Sequence, residues 1–174
     1  AQISQDELWA TIYESEGMLE EKRGESFFDI PEGVTSLGRY AFYYCTNLSE
    51  VTIPSTMDFI GRFAFLGTKD LNVYFAAETL PPYLAEDWDH GTKGYYLGVT
   101  DVVTEGDWTY AKLTNGDISI IKYNGTATEL DLTALNLGGE IVNIGGGAFM
   151  DSTVERIVLP ETLQIIQAKA FYHS

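Results

Sequence analysis

Apolar residues recur along this chain with a period of about 23 residues, which is too long for a helix or a strand and indicates an internal repeat. Residues 30–52 and 53–75 align without gaps and are identical at seven positions. Chance would give roughly one or two matches. The same pattern returns in residues 141–171, where Ile144 to Phe149 and Val154 to Pro160 copy segments of the first repeat.

Each repeat has the same internal order of apolar and punctuating residues. A short alternating stretch such as Val51-Thr52-Ile53 predicts a strand with one apolar face. Proline ends the strand, as at Pro54. A second apolar pair such as Val34 and Leu37 then precedes Gly38, whose copy is Gly61, and glycine there permits either positive φ or close packing. An Ala-Phe pair follows. A unit of this length cannot close its own core, so stacked coils should align Phe42 with Phe65, and Phe149 with Phe171.

The segments outside the repeats have their own signatures. Residues 4–16 predict a helix that begins with an S-x-x-E capping box and covers the end of the first coil. The strand-like segments Trp108 to Leu113 and Asp117 to Tyr123 flank an Asn-Gly pair, which predicts a β-hairpin. Residues 130–132 resemble a degenerate repeat strand. We therefore expect two arrays, in residues 1–104 and 105–174, which form either two subdomains or one continuous stack.

The charge of the chain excludes several classes of partner. With 26 acidic and 10 basic residues, the net charge is −16. Such a surface repels nucleic-acid phosphates and anionic lipid headgroups. No apolar run approaches the length that a membrane-spanning helix needs, so we expect no membrane insertion. Cys45 is the single cysteine and cannot form an internal disulfide.

Residues suited to catalysis or metal binding are sparse. Two histidines in weak contexts do not supply a nucleophile with its base and orienting acid. The densest polar cluster is Glu86, Asp87, Asp89 and His90, whose spacing matches no EF-hand loop, and a solvated acidic loop is the favoured interpretation. We expect no enzymatic activity, no cofactor and no metal.

The repeat resembles a known family. Residues 30–54 follow the pattern I-P-x-x-V-x-x-I-G-x-x-A-F-x-x-C-x-x-L-x-x-V-x-I-P of BspA-like leucine-rich repeats, with Leu37 in place of Ile. In the last copy, Gln167 replaces the glycine. The resemblance implies a β-rich, right-handed solenoid with short parallel strands, helical turns and a role in adhesion to host proteins or other cells. It also implies secretion or display at the bacterial surface, with the signal peptide removed from the mature chain.

Two functions are consistent with these features. The first is a protein-binding module whose ligand face is formed by outward strand residues. The alternation gives Glu50, Thr52, Arg156 and Val158, and Tyr74 joins them if a one-residue slip is allowed. The second is carbohydrate binding, in which exposed Trp88, Tyr95 and Tyr96 would stack on sugar rings.

The C-terminal copy carries a further expectation about partners. Its Ala170-Phe171 pair is not followed by the next strand, which leaves an open coil with an unpaired edge. Either the array continues in a longer protein, or end-to-end self-association covers this coil.

Overall fold

The computed structural model describes residues 26–174, so the helix predicted at residues 4–16 lies outside the described part of the chain. The chain divides into two compact units, one ending at Leu97 and the other spanning Gly98–Ser174. Each unit has its own apolar core.

The first unit contains two parallel sheets. Its strands are β1 (Phe27–Asp29), β2 (Ser36–Leu37), β3 (Glu50–Ile53), β4 (Phe59–Ile60), β5 (Leu71–Phe75), β6 (Tyr83–Leu84) and β7 (Thr92–Tyr96). One sheet has the order β1-β3-β5-β7 and the other β2-β4-β6. Pairing joins Phe27 to Glu50, and Ser36 to Phe59, so each strand lies beside its copy in the next repeat. This pairing confirms the predicted coils.

A ladder of aromatic rings fills the interior of these coils. The rings of Phe42 and Phe65 are stacked, with centroids 5.6 Å apart and planes 14° from parallel. Trp88 follows Phe65 by one further repeat length and continues the ladder with a centroid distance of 6.4 Å. All three side chains are buried. The predicted alignment of Phe42 with Phe65 is therefore confirmed, and Trp88 is the third rung.

Gly61 has a packing role. A Cβ atom on this residue would lie 2.6 Å from the backbone N of Arg39 and 2.7 Å from the carbonyl C of Gly38 in the preceding coil. Real Cβ atoms do not approach backbone atoms so closely, so only glycine allows this separation of coils. Of the two roles that the sequence left open for glycine here, close packing is the one that the structure shows.

The second unit combines an antiparallel meander with parallel coils. Its strands are β8 (Val99–Glu105), β9 (Trp108–Leu113), β10 (Ile118–Tyr123), β11 (Glu129–Asp131), β12 (Ile141–Ile144), β13 (Arg156–Val158) and β14 (Ile165–Ile166). The larger sheet has the order β14-β12-β10-β9-β8, and β11 pairs with β13. β9 and β10 form the predicted hairpin, and Gly116 in its turn has a φ of 88°.

The second core repeats the aromatic stacking of the first. Phe149 is fully buried, and its ring stacks on Phe171 at 5.0 Å with planes 6° from parallel. The predicted alignment of these two residues is confirmed. Gln167 takes the place of the repeat glycine, and its side-chain oxygen accepts a 3.3 Å hydrogen bond from the backbone N–H of Gly146.

The expected helical turns are not found, since residues 26–174 contain no helix. The backbone explains this result. Tyr40 and Tyr44 both have positive φ, which interrupts any right-handed helix after one turn. The N–H of Phe42 donates to the Ala64 carbonyl in the next coil at 2.7 Å. This hydrogen bond joins two coils and replaces the bond that Phe42 would make within a helix. Within residues 26–174, no helix suited to crossing a bilayer is found.

Candidate binding surfaces

The outward positions of the sheet β1-β3-β5-β7 share one side of the sheet, which we call the strand face. Strand register places two rows across it. The first row is Phe27, Glu50, Asn72 and Gly94, and the second is Asp29, Thr52, Tyr74 and Tyr96. The structure therefore brings together three of the predicted ligand-face residues, Glu50, Thr52 and Tyr74.

Tyr74 differs from its two neighbours because it is only 1% exposed. Its hydroxyl donates a 3.0 Å hydrogen bond to Glu50 Oε1, and its ring lies 5.5 Å from that of Tyr96. Burial, reinforced by the negative charge of Glu50, raises the pKa of Tyr74 far above its ordinary value. Tyr74 thus supports Glu50 from within the protein, whereas Glu50 and Thr52 are half-buried and reach solvent.

The accessible half of the strand face lies on β1 and β3. Phe27 is 46% exposed and pairs with Glu50, while Asp29 is exposed and accepts a hydrogen bond from Thr52 Oγ1. This half carries two carboxylates and an exposed ring, with no Lys or Arg among the outward residues of the two strands.

Arg156 and Val158 lie on a different sheet, in the second unit. Both belong to β13, and register places them beside Glu129 and Asp131 of β11, while Ile157 packs inward. Both side chains are exposed. The five predicted residues therefore form two separate groups, one in each unit.

The aromatic residues expected to bind sugars are not exposed. Trp88 and Tyr96 are buried, and Tyr95 packs against the first core. The expectation of exposed rings is wrong for Trp88 and Tyr96. The sequence contained a sign of this, since Trp88 stands one repeat length after Phe65 and so occupies the interior position of the repeat.

Trp88 is buried in the middle of the acidic segment 86–90 and separates Glu86 and Asp87 from Asp89 and His90. Asp87 forms a 3.7 Å ion pair with Arg62, and the ring of His90 meets the ring of Phe63 edge-on at 5.9 Å. Among residues 26–174, no group of three or more His, Cys, Asp or Glu side chains is placed to hold a metal ion. Cys45 is half-buried, and burial raises the pKa of its thiol.

A second surface, which the sequence analysis did not single out, lies on the turns after the Ala-Phe pairs. We call it the aromatic turn cluster, and it consists of Tyr40, Tyr43, Tyr44 and Phe63. The three tyrosines are 39%, 52% and 62% exposed. Tyr43 meets Tyr40 edge-on at 5.2 Å and Tyr44 at 4.4 Å, while Tyr40 stacks on Phe63 at 5.9 Å.

This cluster could have been found from the sequence by comparing repeats. Tyr43 and Tyr44 correspond to Leu66 and Gly67 in the next copy, so the repeat itself does not require aromatic residues there. The turn is held by hydrogen bonds to the next coil, since the Tyr44 N–H donates to the Leu66 carbonyl at 2.8 Å. This backbone pairing leaves the tyrosine rings on the outside.

Comparison with known proteins identifies the repeats. A family model described as the BspA type leucine rich repeat region matches six copies, over residues 20–80 and 115–174. No curated protein matches the chain.

Two solved structures are similar to the chain. One is a leucine-rich repeat protein from Eubacterium ventriosum, 17% identical, with a TM-score of 0.34 and coverage of 88% of this chain and 53% of that protein. The other is a leucine rich cell surface protein from Faecalibacterium prausnitzii, 23% identical, with a TM-score of 0.35 and coverage of 81% and 41%. The chain spans about half the length of these proteins or less. The family model, in contrast, covers more than half of the chain, with its repeats on the coils described above. The chain therefore belongs to the BspA-type leucine-rich-repeat family.

Proposed function

We propose that this chain is a non-enzymatic protein-binding module, secreted or displayed at the cell surface, whose ligand is a protein on a host or neighbouring cell. The ligand contacts the accessible half of the strand face, formed by Phe27, Asp29, Glu50 and Thr52. Membership in the BspA-type leucine-rich-repeat family supports this proposal, as do the outward strand positions that β1 and β3 present to solvent.

The observation that carries the proposal is the exposed ring of Phe27 beside two carboxylates. Nothing in the coil requires an aromatic residue at an outward strand position. Burying this ring under a partner would contribute about 1.5–3 kcal/mol of binding free energy. Asp29 and Glu50 would attract a partner with basic side chains and orient it before contact.

Arg156 and Val158 extend the proposal to the second unit. Val158 is 48% exposed. Strand register places Val158 beside Asp131 and Arg156 beside Glu129. This patch repeats the combination of an apolar side chain with carboxylates, and it adds one cation. We propose it as a second contact region for a protein ligand.

Site-specific photo-crosslinking tests the strand face. A photoreactive amino acid at Thr52 should produce adducts with surface proteins of the partner cell, and the same amino acid at Ser36, on the outward side of β2, is the matched control. Adducts formed from Thr52 and absent from Ser36 would support the proposal. Equal adduct patterns at the two positions, from a chain that binds those cells, would refute the assignment of the face.

Neutral variants then measure the contribution of charge. Asp29→Asn together with Glu50→Gln preserves side-chain size and the hydrogen-bond acceptors for Thr52 and Tyr74. We expect the double variant to bind several-fold more weakly at low salt, with the difference shrinking as salt screens the charges. A double variant that binds as tightly as the native chain would remove the electrostatic part of the proposal.

A further inference from the structure

The three tyrosines of the aromatic turn cluster lie outside the apolar core, and the contact of the cluster between coils is the stack of Tyr40 on Phe63. The interior rungs of the turn are Ala41 and Phe42, which are buried, while Tyr43 and Tyr44 extend into solvent. Three neighbouring exposed tyrosines form an aromatic patch. Tyrosine is enriched at the centres of protein interfaces because it supplies a large rigid contact area at a low cost in conformational entropy.

The backbone conformation of these residues is a second observation about the cluster. Tyr40, Tyr44 and Phe63 have φ angles of 60°, 53° and 54°. A residue with a side chain costs roughly 1–2 kcal/mol more than glycine in this region. In other copies the same turn positions carry Gly67 and Gly147, with φ angles of 84° and 66°, and also Asp151 and Lys169, with φ angles of 56° and 61°. The chain therefore holds aromatic side chains where glycine would give a more stable coil.

The charge around the cluster indicates the chemistry of the occupant. Glu86 and Asp89 are exposed in the coil after Phe63, two coils from the three tyrosines, and within residues 26–174 neither carboxylate forms an ion pair. Arg62, in contrast, is already engaged, because it pairs with Asp87 and lies 4.8 Å above the ring of Phe63. The chain as a whole carries a net charge of −16. Exposed aromatic rings on an acidic chain, with unpaired carboxylates farther along the same stack, are suited to an extended segment with several guanidinium groups, which stack on rings and pair with acids.

We propose that the aromatic turn cluster, with Glu86 and Asp89, is a docking site for an arginine-rich segment of a partner protein. The arginine side chains stack on Tyr40, Tyr43 and Tyr44, and the carboxylates supply the counter-charge. This site is separate from the strand face, so the two proposals stand or fall independently. Arg39, which is exposed beside Tyr40, opposes such a ligand and limits its affinity.

Peptide titration tests this site with a defined probe. Fluorescence anisotropy would compare labelled hepta-arginine, hepta-lysine and an uncharged Gly-Ser peptide of equal length. We expect hepta-arginine to bind more tightly than hepta-lysine by a factor of several, because both carry the same charge but only guanidinium is planar. The Gly-Ser peptide should not bind.

The decisive variant removes the rings while keeping the backbone. Tyr40→Asn, Tyr43→Ser and Tyr44→Asn are combined, since asparagine tolerates positive φ. We expect at least a tenfold loss of hepta-arginine affinity and loss of its preference over hepta-lysine. Tyr83→Ser is the matched control, because Tyr83 is 67% exposed but lies outside the cluster, and it should bind as the native chain does. Circular dichroism verifies that each variant is folded.

Charge variants provide a second, independent readout. Glu86→Gln with Asp89→Asn should weaken hepta-arginine binding and reduce its salt dependence, whereas Arg39→Gln should strengthen binding. Equal affinities for the two cationic peptides, unchanged by the tyrosine variant, would show that bulk charge alone binds them and would overturn the proposal. Tighter binding of deca-proline or of a linear oligosaccharide, lost in the tyrosine variant, would assign the rings to a different ligand and overturn it as well.

Discussion

Removal of the Phe65 ring tests the central packing feature of the first unit. Phe65 is fully buried, between Phe42 at 5.6 Å and Trp88 at 6.4 Å. Phe65→Ala deletes the middle rung of the ladder and leaves a cavity that the coils on both sides cannot close, because backbone hydrogen bonds fix their separation. Substitutions of this kind cost about 3–5 kcal/mol of unfolding free energy. Phe42→Ala removes a ring with contacts of the same kind and should cost a similar amount.

Urea unfolding followed by far-UV circular dichroism measures this loss. With a slope of about 2 kcal/mol per molar urea, a loss of 3–5 kcal/mol lowers the midpoint by roughly 1.5–2.5 M. Tyr83→Ala removes an exposed aromatic ring and should change the unfolding free energy by less than about 0.5 kcal/mol. Tryptophan fluorescence is the second probe, since Trp88 contacts Phe65 directly.

A double-mutant cycle separates stacking from burial. If Phe42 and Phe65 interact as stacked rings, the double variant should deviate from additivity by about 0.5–1.5 kcal/mol. A loss below about 1 kcal/mol for Phe65→Ala would show that the ring is not an interior rung, and the coil register proposed for the first unit would be wrong. If the losses of Phe42→Ala and Phe65→Ala simply add in the double variant, the stacking contribution is refuted but the contribution of burial is not.

Three further predictions follow from individual positions. Gly61→Ala should destabilise the protein by about 1–3 kcal/mol in a thermal melt, because its Cβ would collide with the backbone of the preceding coil. Lys169→Gly should stabilise by up to about 1 kcal/mol, because φ is 61°, while Lys169→Ala retains the Cβ and should not. Tyr74 and Tyr96 have pKa values raised by burial, so they contribute stability that is complete below about pH 10 and lost as pH rises toward the folded-state pKa. Absorbance in the near ultraviolet should therefore show tyrosines that ionise only on alkaline unfolding, and Tyr74→Phe should reduce that late step.

The sequence was sufficient to predict the features that the repeat imposes on every coil. A strand such as β3 lies beside its copies because the spacing is nearly constant, with Val51 paired to Phe28 of β1 and to Val73 of β5, so that all three side chains share one interior. The hairpin was equally accessible, since Asn-Gly between two alternating stretches specifies its own turn. The repeat period and the turn motif depend on residues close in sequence, so they can be predicted without knowing what packs against them.

Exposure of outward residues could not be predicted in the same way. Thr52 and Tyr74 are register partners on one face, yet Thr52 reaches solvent and Tyr74 is buried. The alternation of a strand specifies which side a residue faces, but what covers that side depends on residues distant in sequence. Trp88 was misread for a different reason, because its repeat lacks the Ala-Phe pair and the repeat spacing alone marks it as interior.

The turn positions with positive φ separate two properties, the backbone conformation that every coil requires and the side chain that a particular repeat places there. Tyr40, Phe63, Gly147 and Lys169 occupy the same place in their respective repeats, and all four have positive φ. The conformation is therefore a property of the coil, and glycine satisfies it with the least strain. An aromatic side chain there is opposed by the backbone and contributes little to the interior, so selection for stability would favour its replacement. Tyr40→Gly relieves strain of roughly 1–2 kcal/mol and removes the stack on Phe63, which contributes about 0.5–1.5 kcal/mol. It should therefore leave stability nearly unchanged while weakening arginine-peptide binding, and this combination in one variant would show that the ring is retained for contact with a partner.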